Sequence, residues 1–115
     1  MSFALTTDQI RARTKTVTRR LGWEFLEPGD LVQAVVKGMG LRKGEKVEKL
    51  GVLRVVSKER LPLNEITPLD VLAEGFPGKS TRDFVAMFCE HNRAKKVRPD
   101  TIVTRIEFAY VEPQC

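Results

Sequence analysis

Residues 11–20 read RARTKTVTRR, five basic side chains in ten residues, threaded with threonines and free of any acidic residue. Cations at this density serve one of two ends. They form a solvated charged face that does no chemistry, or a site that receives phosphate groups or the polar edge of a nucleic-acid base. Two further basic groups lie at 37–46 (KGMGLRKGEK, with Arg42 and Lys43) and at 93–98 (RAKKVR), whereas acidic residues concentrate in EITPLDVLAEG. With a net charge of +5 over 115 residues, these groups either merge into one surface that meets phosphates or scatter and keep the protein dissolved.

Other chemistries are restricted by what is scarce. His91 is the only histidine, which excludes a metal site built on several histidines and any Ser-His-Asp or Cys-His unit that does not use His91. Cys89, in the apolar stretch FVAMFCEH, reads as a buried thiol, and Cys115 is the last residue. No CxxC pair points to zinc, and no disulfide framework or cofactor is expected. The glycines of GMGLRKG resemble a phosphate-cradling loop only superficially, because no βαβ unit surrounds them. A hairpin tip, whose Arg42 and Lys43 touch a phosphate backbone, fits better. The length is that of one domain spanning 1–115, and a monomer is expected. No apolar run approaches the roughly 20 residues that cross a membrane. MSFALTTDQ lacks the pattern of a secretory signal, so a cytoplasmic location is expected.

The basic run must be positioned by the elements around it. TTDQIRAR predicts a short helix, with Thr6 and Gln9 spaced as a capping box. After Thr14 the pattern becomes TVTR, β-branched with a period of two, which predicts a strand. The helix-to-strand switch falls close to Lys15. EPGDL is a turn leading into the strand LVQAVVKG, and KVEKLGVLRVVSKERL predicts a long strand bent or bulged at Gly51. In ITPLDVLAEGF, Thr67 suits an N-cap, Pro68 the first helical position and Gly75 the stop. In KSTRDFVAMFCEHN, Ser80 caps a second helix with Phe84, Met87, Phe88 and His91 along one face. The last strand, TIVTRIEFAYV, alternates Ile102, Ile106, Phe108 and Tyr110 inward. This order predicts an α+β domain with a mainly antiparallel, curled sheet, and closing it into a small barrel would bury its edges economically.

The segment IRARTKTVTRRLGWEFLEPGDLV, from Ile10 to Val32, resembles the N-terminal signature of ASCH-domain proteins, relatives of the PUA domain. Lys15, Thr16, Thr18, Arg20 and Gly29-Asp30 match that signature in order. ITPLDVLAEGF and VTRIEFAYV resemble the family's later elements, so the likeness spans nearly the whole chain. Where the family usually has a Gly-Arg/Lys turn before the lysine, this chain has Arg13-Thr14, and its basic loop 37–46 is longer. The resemblance implies a PUA-like β-barrel with two to three flanking helices beside a cleft, and RNA or a modified nucleoside as ligand. One branch of small ASCH proteins hydrolyses the amide of N4-acetylcytidine with a lysine, a threonine three residues later and a distant glutamate. Those roles fall on Lys15, Thr18 and Glu74, with Arg20 in support.

Amide hydrolysis needs a nucleophile, a base that activates it and charge that stabilises the oxyanion. A threonine hydroxyl becomes nucleophilic once a neighbouring base takes its proton, and lysine is such a base where a dry, cationic setting lowers its pKa. Arg13, Arg19 and Arg20 supply that charge. Glu74 would protonate the leaving amine or hydrogen-bond the exocyclic nitrogen of a cytosine. Two residues three apart on one regular strand point to opposite faces, so Lys15 and Thr18 converge only if Lys15 precedes the strand. Trp23 would stack on a base or pack at the rim. The bland alternatives are a solvated Lys15, strand-forming threonines, an exposed Glu74 in a last helical turn, and Arg20 paired with Glu24, Glu27 or Asp30. Four functions follow: RNA or nucleoside binding in a cleft edged by Lys15, Thr18, Arg20 and Glu74 with the other basic residues at its rim, deacylation of N4-acylcytidine, RNA cleavage, and a protein-binding adaptor.

Overall fold

The computed structural model describes residues 1–36 and 48–112. The basic loop with Arg42 and Lys43 lies outside the described residues, as does Cys115. In chain order the elements are α1 (Thr7–Arg11), β1 (Val17–Arg20), β2 (Leu31–Val35), β3 (Lys49–Pro62), α2 (Pro68–Ala73), α3 (Thr81–His91) and β4 (Ile102–Tyr110). Single 3₁₀ turns follow β3 at Leu63–Glu65 and α3 at Arg93–Lys95. All four strands pair antiparallel in the order β1-β4-β3-β2, and the sheet curls into a half-barrel.

The curl has a local cause in β3, the strand shared by both neighbours. Ala34 pairs with Gly51 but Val35 pairs with Lys49, so Leu50 is an extra residue there. Gly51, at φ 142°, takes the conformation such a bulge requires. A second shift leaves Val56 extra between Val55 and Ser57 against β4. Each bulge bends the strand and increases its twist, which wraps the sheet around its inner face. That face carries two apolar groups, Phe3, Ile10, Ala34, Leu53 and Phe108, and Leu26, Val32, Val55 and Ile106.

The helices cover the opposite corner. The Thr67 hydroxyl accepts from Asp70 N at 3.2 Å and the Ser80 hydroxyl from Asp83 N at 3.0 Å, so both expected N-caps form. Leu63, Ile66, Val71, Phe84 and Val103 join in a third core group. This group changes the reading of β4. Val103 is fully buried beneath the helices while Ile102 is 46% exposed, so the inward alternation starts at Thr104 rather than Ile102. A strand covered on both sides at one end buries the residues of both its faces there.

The first helix also departs from expectation. The Thr6 side chain makes no capping bond, and Gln9 instead donates from Nε2 to Gly75 O at 3.1 Å. Gln9 thereby ties α1 to the end of α2. A Cβ on Gly75 would stand 2.8 Å from Gln9 Cγ, and Gly75 holds φ at 102°, so both space and backbone demand glycine at this stop.

Candidate functional site

Lys15 stands ahead of β1, on the turn that leaves α1. Arg13 adopts φ 59°, the left-handed conformation that glycine takes most cheaply, and Thr14 N and Lys15 N both bond back to Gln9 O at 2.9 and 3.4 Å. The chain then locks onto its neighbours, with Thr16 N donating to Ala73 O at 2.8 Å and the Tyr110 hydroxyl donating to Lys15 O at 2.6 Å. Burial pushes the Tyr110 hydroxyl up to about 12, with the Arg13 cation opposing, so it stays protonated and keeps donating. Because β1 begins only at Val17, Lys15 is released from strand alternation. Lys15 and Thr18 both come to line one cavity, as convergence requires.

Glu74 enters from the other side. It is the C-cap of α2, aligned at φ −69° and ψ −14°, and the glycine after it ends the helix. Lys15 Nζ donates to Glu74 Oε1 and to its main-chain oxygen, both at 2.8 Å, and each of the two side chains is only 3% exposed. An exposed Glu74 in a last turn, and a solvated Lys15, are therefore corrected. Arg19 holds the second carboxylate oxygen through NH1 at 3.2 Å and reaches Asp70 Oδ2 through NH2 at 2.6 Å. Arg105 then grips Asp70 from β4, Nε to Oδ2 at 2.7 Å and NH2 to Oδ1 at 3.1 Å. One chain of charges thus runs Lys15–Glu74–Arg19–Asp70–Arg105 across α2, β1 and β4.

Burial lowers the Lys15 pKa, although Glu74 beside it acts the other way. The Arg105 hydrogen bonds, helped by Arg19, hold the Asp70 carboxyl below its ordinary value against the opposing effect of burial. Taking two charges from water costs several kcal/mol per ion, and attraction offsets that only with good geometry, so such a pair is a weak source of stability. Its geometry is what it contributes: three polar side chains held at fixed places on a cavity wall.

That cavity has a volume of about 540 Å³. Lys15, Thr18, Arg19, Arg20 and Glu74 line one side, and Trp23, Phe76, Phe84, Met87 and Phe88 bring apolar and aromatic surface. His91, Asn92 and Lys95 also line it. Arg20 does not pair with Glu24, Glu27 or Asp30; those acids engage Arg60, Lys58 and Glu27 N instead. Arg20 donates from Nε to Thr18 Oγ1 at 3.3 Å and from NH2 to Ser2 O at 2.5 Å, and lies over the Phe3 ring at 4.7 Å.

The remaining residues of the sequence-based set divide. Trp23 is half-buried at φ 61°, tilted against Phe25 at 5.6 Å, and lines the cavity. Arg19 was expected at the rim and is instead 1% exposed inside the ionic chain. Arg13 is exposed, bonded to Glu112 and over the Tyr110 ring, and does not line the cavity. Thr16 faces a different, more open hollow of about 640 Å³ with Gln9, Leu69, Leu72 and Pro77. The charge that depresses Lys15 therefore comes from Arg20 and Arg19, with no part played by Arg13.

Sequence reasoning missed Asp70 and Arg105. Asp70 reads as an ordinary acidic residue in a first helical turn, and Arg105 as an outward residue of an alternating strand, so neither carried a signal of the other. The Phe84, Met87 and Phe88 stripe was visible as a helical face, but the same face both packs on the core and walls the cavity. Among the described residues no group of His, Cys, Asp and Glu is placed to hold a metal ion. No helix among them is long and apolar enough to cross a membrane.

No protein-family model matches the chain, and no curated protein matches it. Solved structures do. A protein from Enterococcus faecalis V583 of the family DUF984 superposes with a TM-score of 0.66 at 16% identity, over 93% of this chain and 67% of that one. The ASCH domain from Lactobacillus crispatus JV V101 superposes with a TM-score of 0.60 at 19% identity, over 92% of this chain and 70% of that one. The chain has an ASCH-like fold, a small α+β arrangement with a curled sheet and three helices. At such identities the likeness is one of backbone path.

Proposed function

We propose that the protein binds a nucleobase in this cavity, presented as a nucleoside or as an unpaired nucleotide of RNA. The observation that carries the reading is the buried Lys15–Glu74 pair on a wall shared with aromatic surface. A nucleobase has two apolar faces and a polar edge, and unpaired bases are recognised by stacking on aromatic or arginine planes while their edges meet fixed donors and acceptors. Glu74 offers acceptors and Lys15 and Thr18 offer donors, the first two held by the ionic chain and Thr18 by β1 and the Arg20 guanidinium. Titration calorimetry of the four ribonucleosides and of a short single-stranded RNA tests the reading. Binding of at least one of them, lost in Trp23→Ala with the fold retained, is the expected result. No binding by the folded protein rejects it.

A second reading, deacylation of an N4-acylated cytidine, is favoured by one observation. Lys15 precedes β1, so an amine with a lowered pKa and the Thr18 hydroxyl share the cavity with a carboxylate. In that reaction neutral Lys15 takes the Thr18 proton and Thr18 Oγ1 attacks the acyl carbon. The amide C–N bond breaks as that proton passes from Lys15 by way of Glu74 to the leaving exocyclic nitrogen, and water then hydrolyses the threonyl ester, releasing the acid and returning a proton to Thr18 Oγ1. Chromatography of N4-acetylcytidine after incubation, with Lys15→Ala alongside, decides it. Turnover by the unaltered protein alone, rising with pH along a limb below the ordinary lysine range, supports the hydrolase. Absence of cytidine leaves binding as the function.

A further inference from the structure

The charges around the cavity do not balance. Lys15, Arg19, Arg20 and Lys95 line it, and Glu74 is the one carboxylate that lines it with them. Asp70 is committed to Arg19 and Arg105, and Glu74 to Lys15 and Arg19. Arg20 is left with neutral partners, the Thr18 hydroxyl and the Ser2 carbonyl, and forms no ion pair with any described residue. A guanidinium carries five N–H donors in a planar fork that fits a carboxylate or phosphate. Arg20 spends two of them on these acceptors, and its side chain lines the cavity.

A second observation points the same way. Arg19 Nε is a buried donor without a partner, the one such side-chain atom among the described residues. Arg19 also lines the cavity and its side chain is 1% exposed. Leaving a buried donor of a charged group unmade is costly, and native proteins keep such atoms rare. A compact anion in the cavity would give Arg20 the counter-charge it lacks, on a wall that Arg19 shares. Burial depresses the Arg20 pKa to about 10 even though Glu74 acts to raise it, the direction expected of a cation that lacks a close counter-charge. At the rim Lys95 adds an exposed ammonium, and Glu74 is the one carboxylate among the lining residues.

We infer that the cavity is built for a phosphorylated nucleoside rather than a neutral one, with Arg20 receiving the phosphate while the base lies against the aromatic wall. This rests on the nucleobase-binding reading and names its ligand class. Arg20 is then the residue that separates nucleotide from nucleoside. The phosphate oxygens take guanidinium N–H groups of Arg20 that its protein partners leave free. Lys15 and Glu74 remain with the base edge.

Titration calorimetry of the full chain with the ribonucleosides, their 5′- and 3′-monophosphates and inorganic phosphate tests the assignment. A monophosphate is expected to bind at least about tenfold tighter than its own nucleoside, the scale of a hydrogen bond to a charged group. Arg20→Gln removes the cation and keeps hydrogen-bonding capacity. It should bring the monophosphate down to the affinity that the same variant shows for the nucleoside, with circular dichroism confirming the fold. Arg20→Lys restores a point charge without the fork and should recover part of the preference. Should Arg20→Gln unfold, the preference of the unaltered protein falling with rising salt provides the same reading, because an ionic contact is screened and a neutral one is not. Equal affinity for nucleotide and nucleoside overturns the inference and spares the nucleobase reading. Inorganic phosphate binding as tightly as the nucleotide overturns the nucleobase reading, because the base then adds nothing. Binding of none of these probes overturns both.

Discussion

Two basic stretches of similar composition meet opposite fates. RARTKTVTRR holds Lys15 and Arg19 under 5% exposed and welded to carboxylates, whereas RAKKVR, at the end of α3, leaves Arg93, Lys95, Lys96 and Arg98 in solvent. Among the described residues the second stretch makes one ion pair, Arg93 with Glu90 one helical turn before it, which spans 3.7 Å with both partners largely exposed. Exposed pairs of this kind contribute about 0–1 kcal/mol. The difference lies in what crosses each stretch. The first is traversed by α2, which brings Asp70 and Glu74 against it, while the second is a surface turn ended by Lys96 in a left-handed conformation. Charge becomes fixed geometry only where another element supplies the counter-charge and excludes water.

The largest effect should come from removing the counter-charge in the buried stretch. Glu74→Gln leaves Lys15 and Arg19 without their carboxylate and is expected to cost about 3–5 kcal/mol in a urea titration. Replacing both partners, as Lys15→Met with Glu74→Gln, should cost less than the two single changes added together, because Lys15 is then no longer left as an unpaired buried charge. Additive costs would break the comparison by showing that the pair is not coupled.

Asp70→Asn comes next. It weakens the hold of both Arg19 and Arg105, and a loss of about 1.5–3 kcal/mol at neutral pH is expected, the scale of hydrogen bonds to charged groups. Its pH signature is more telling. Asp70 has its carboxyl held below the ordinary value by Arg105 and Arg19. Its stabilising contribution is present above the unfolded-state pKa near 4 and disappears as pH falls through the lower folded-state value. Thermal melts of Asp70→Asn should therefore lose less stability than the unaltered protein as pH falls below about 4. An unchanged acid limb would contradict the burial of this chain of charges.

Gly75→Ala sharpens the role of α2 as the carrier of Glu74. A methyl group there meets Gln9 Cγ at 2.8 Å on a backbone at φ 102°, and a loss above about 1 kcal/mol is expected. The smallest effects belong to the exposed turn. Arg93→Ala and Lys96→Ala should each change stability by less than about 0.5 kcal/mol. If RNA is the ligand, both should lower affinity at low salt and flatten its salt dependence. A large loss of stability from either would mean that the turn is held as tightly as the buried stretch.

Much of the chain was legible before the fold was known. Thr67-Pro68 and Ser80 open helices because a side-chain oxygen or a preset φ satisfies a local need, and Gly51 and Gly75 mark a bulge and a stop for the same local reason. The likeness of RARTKTVTRR and its neighbours to ASCH sequences led to the fold that the solved structures share. Gln9 shows where local reasoning fails. Its spacing from Thr6 fits a capping box, but Gly75 O, 66 residues away, offered its side chain a better-placed partner.

The sequence by itself determined the order of helices and strands, the caps of α2 and α3 and the break near Lys15, because these depend on residues within a few positions of one another. Only the tertiary structure decided which cations of the basic run are buried. Arg13, Lys15, Arg19 and Arg20 are chemically alike along the chain, and their separation into solvent, ion pair and cavity wall depends on where α2 and β4 bring Asp70, Glu74 and Arg105. Desolvation and counter-charge are properties of surroundings assembled from distant segments, and no local pattern encodes them.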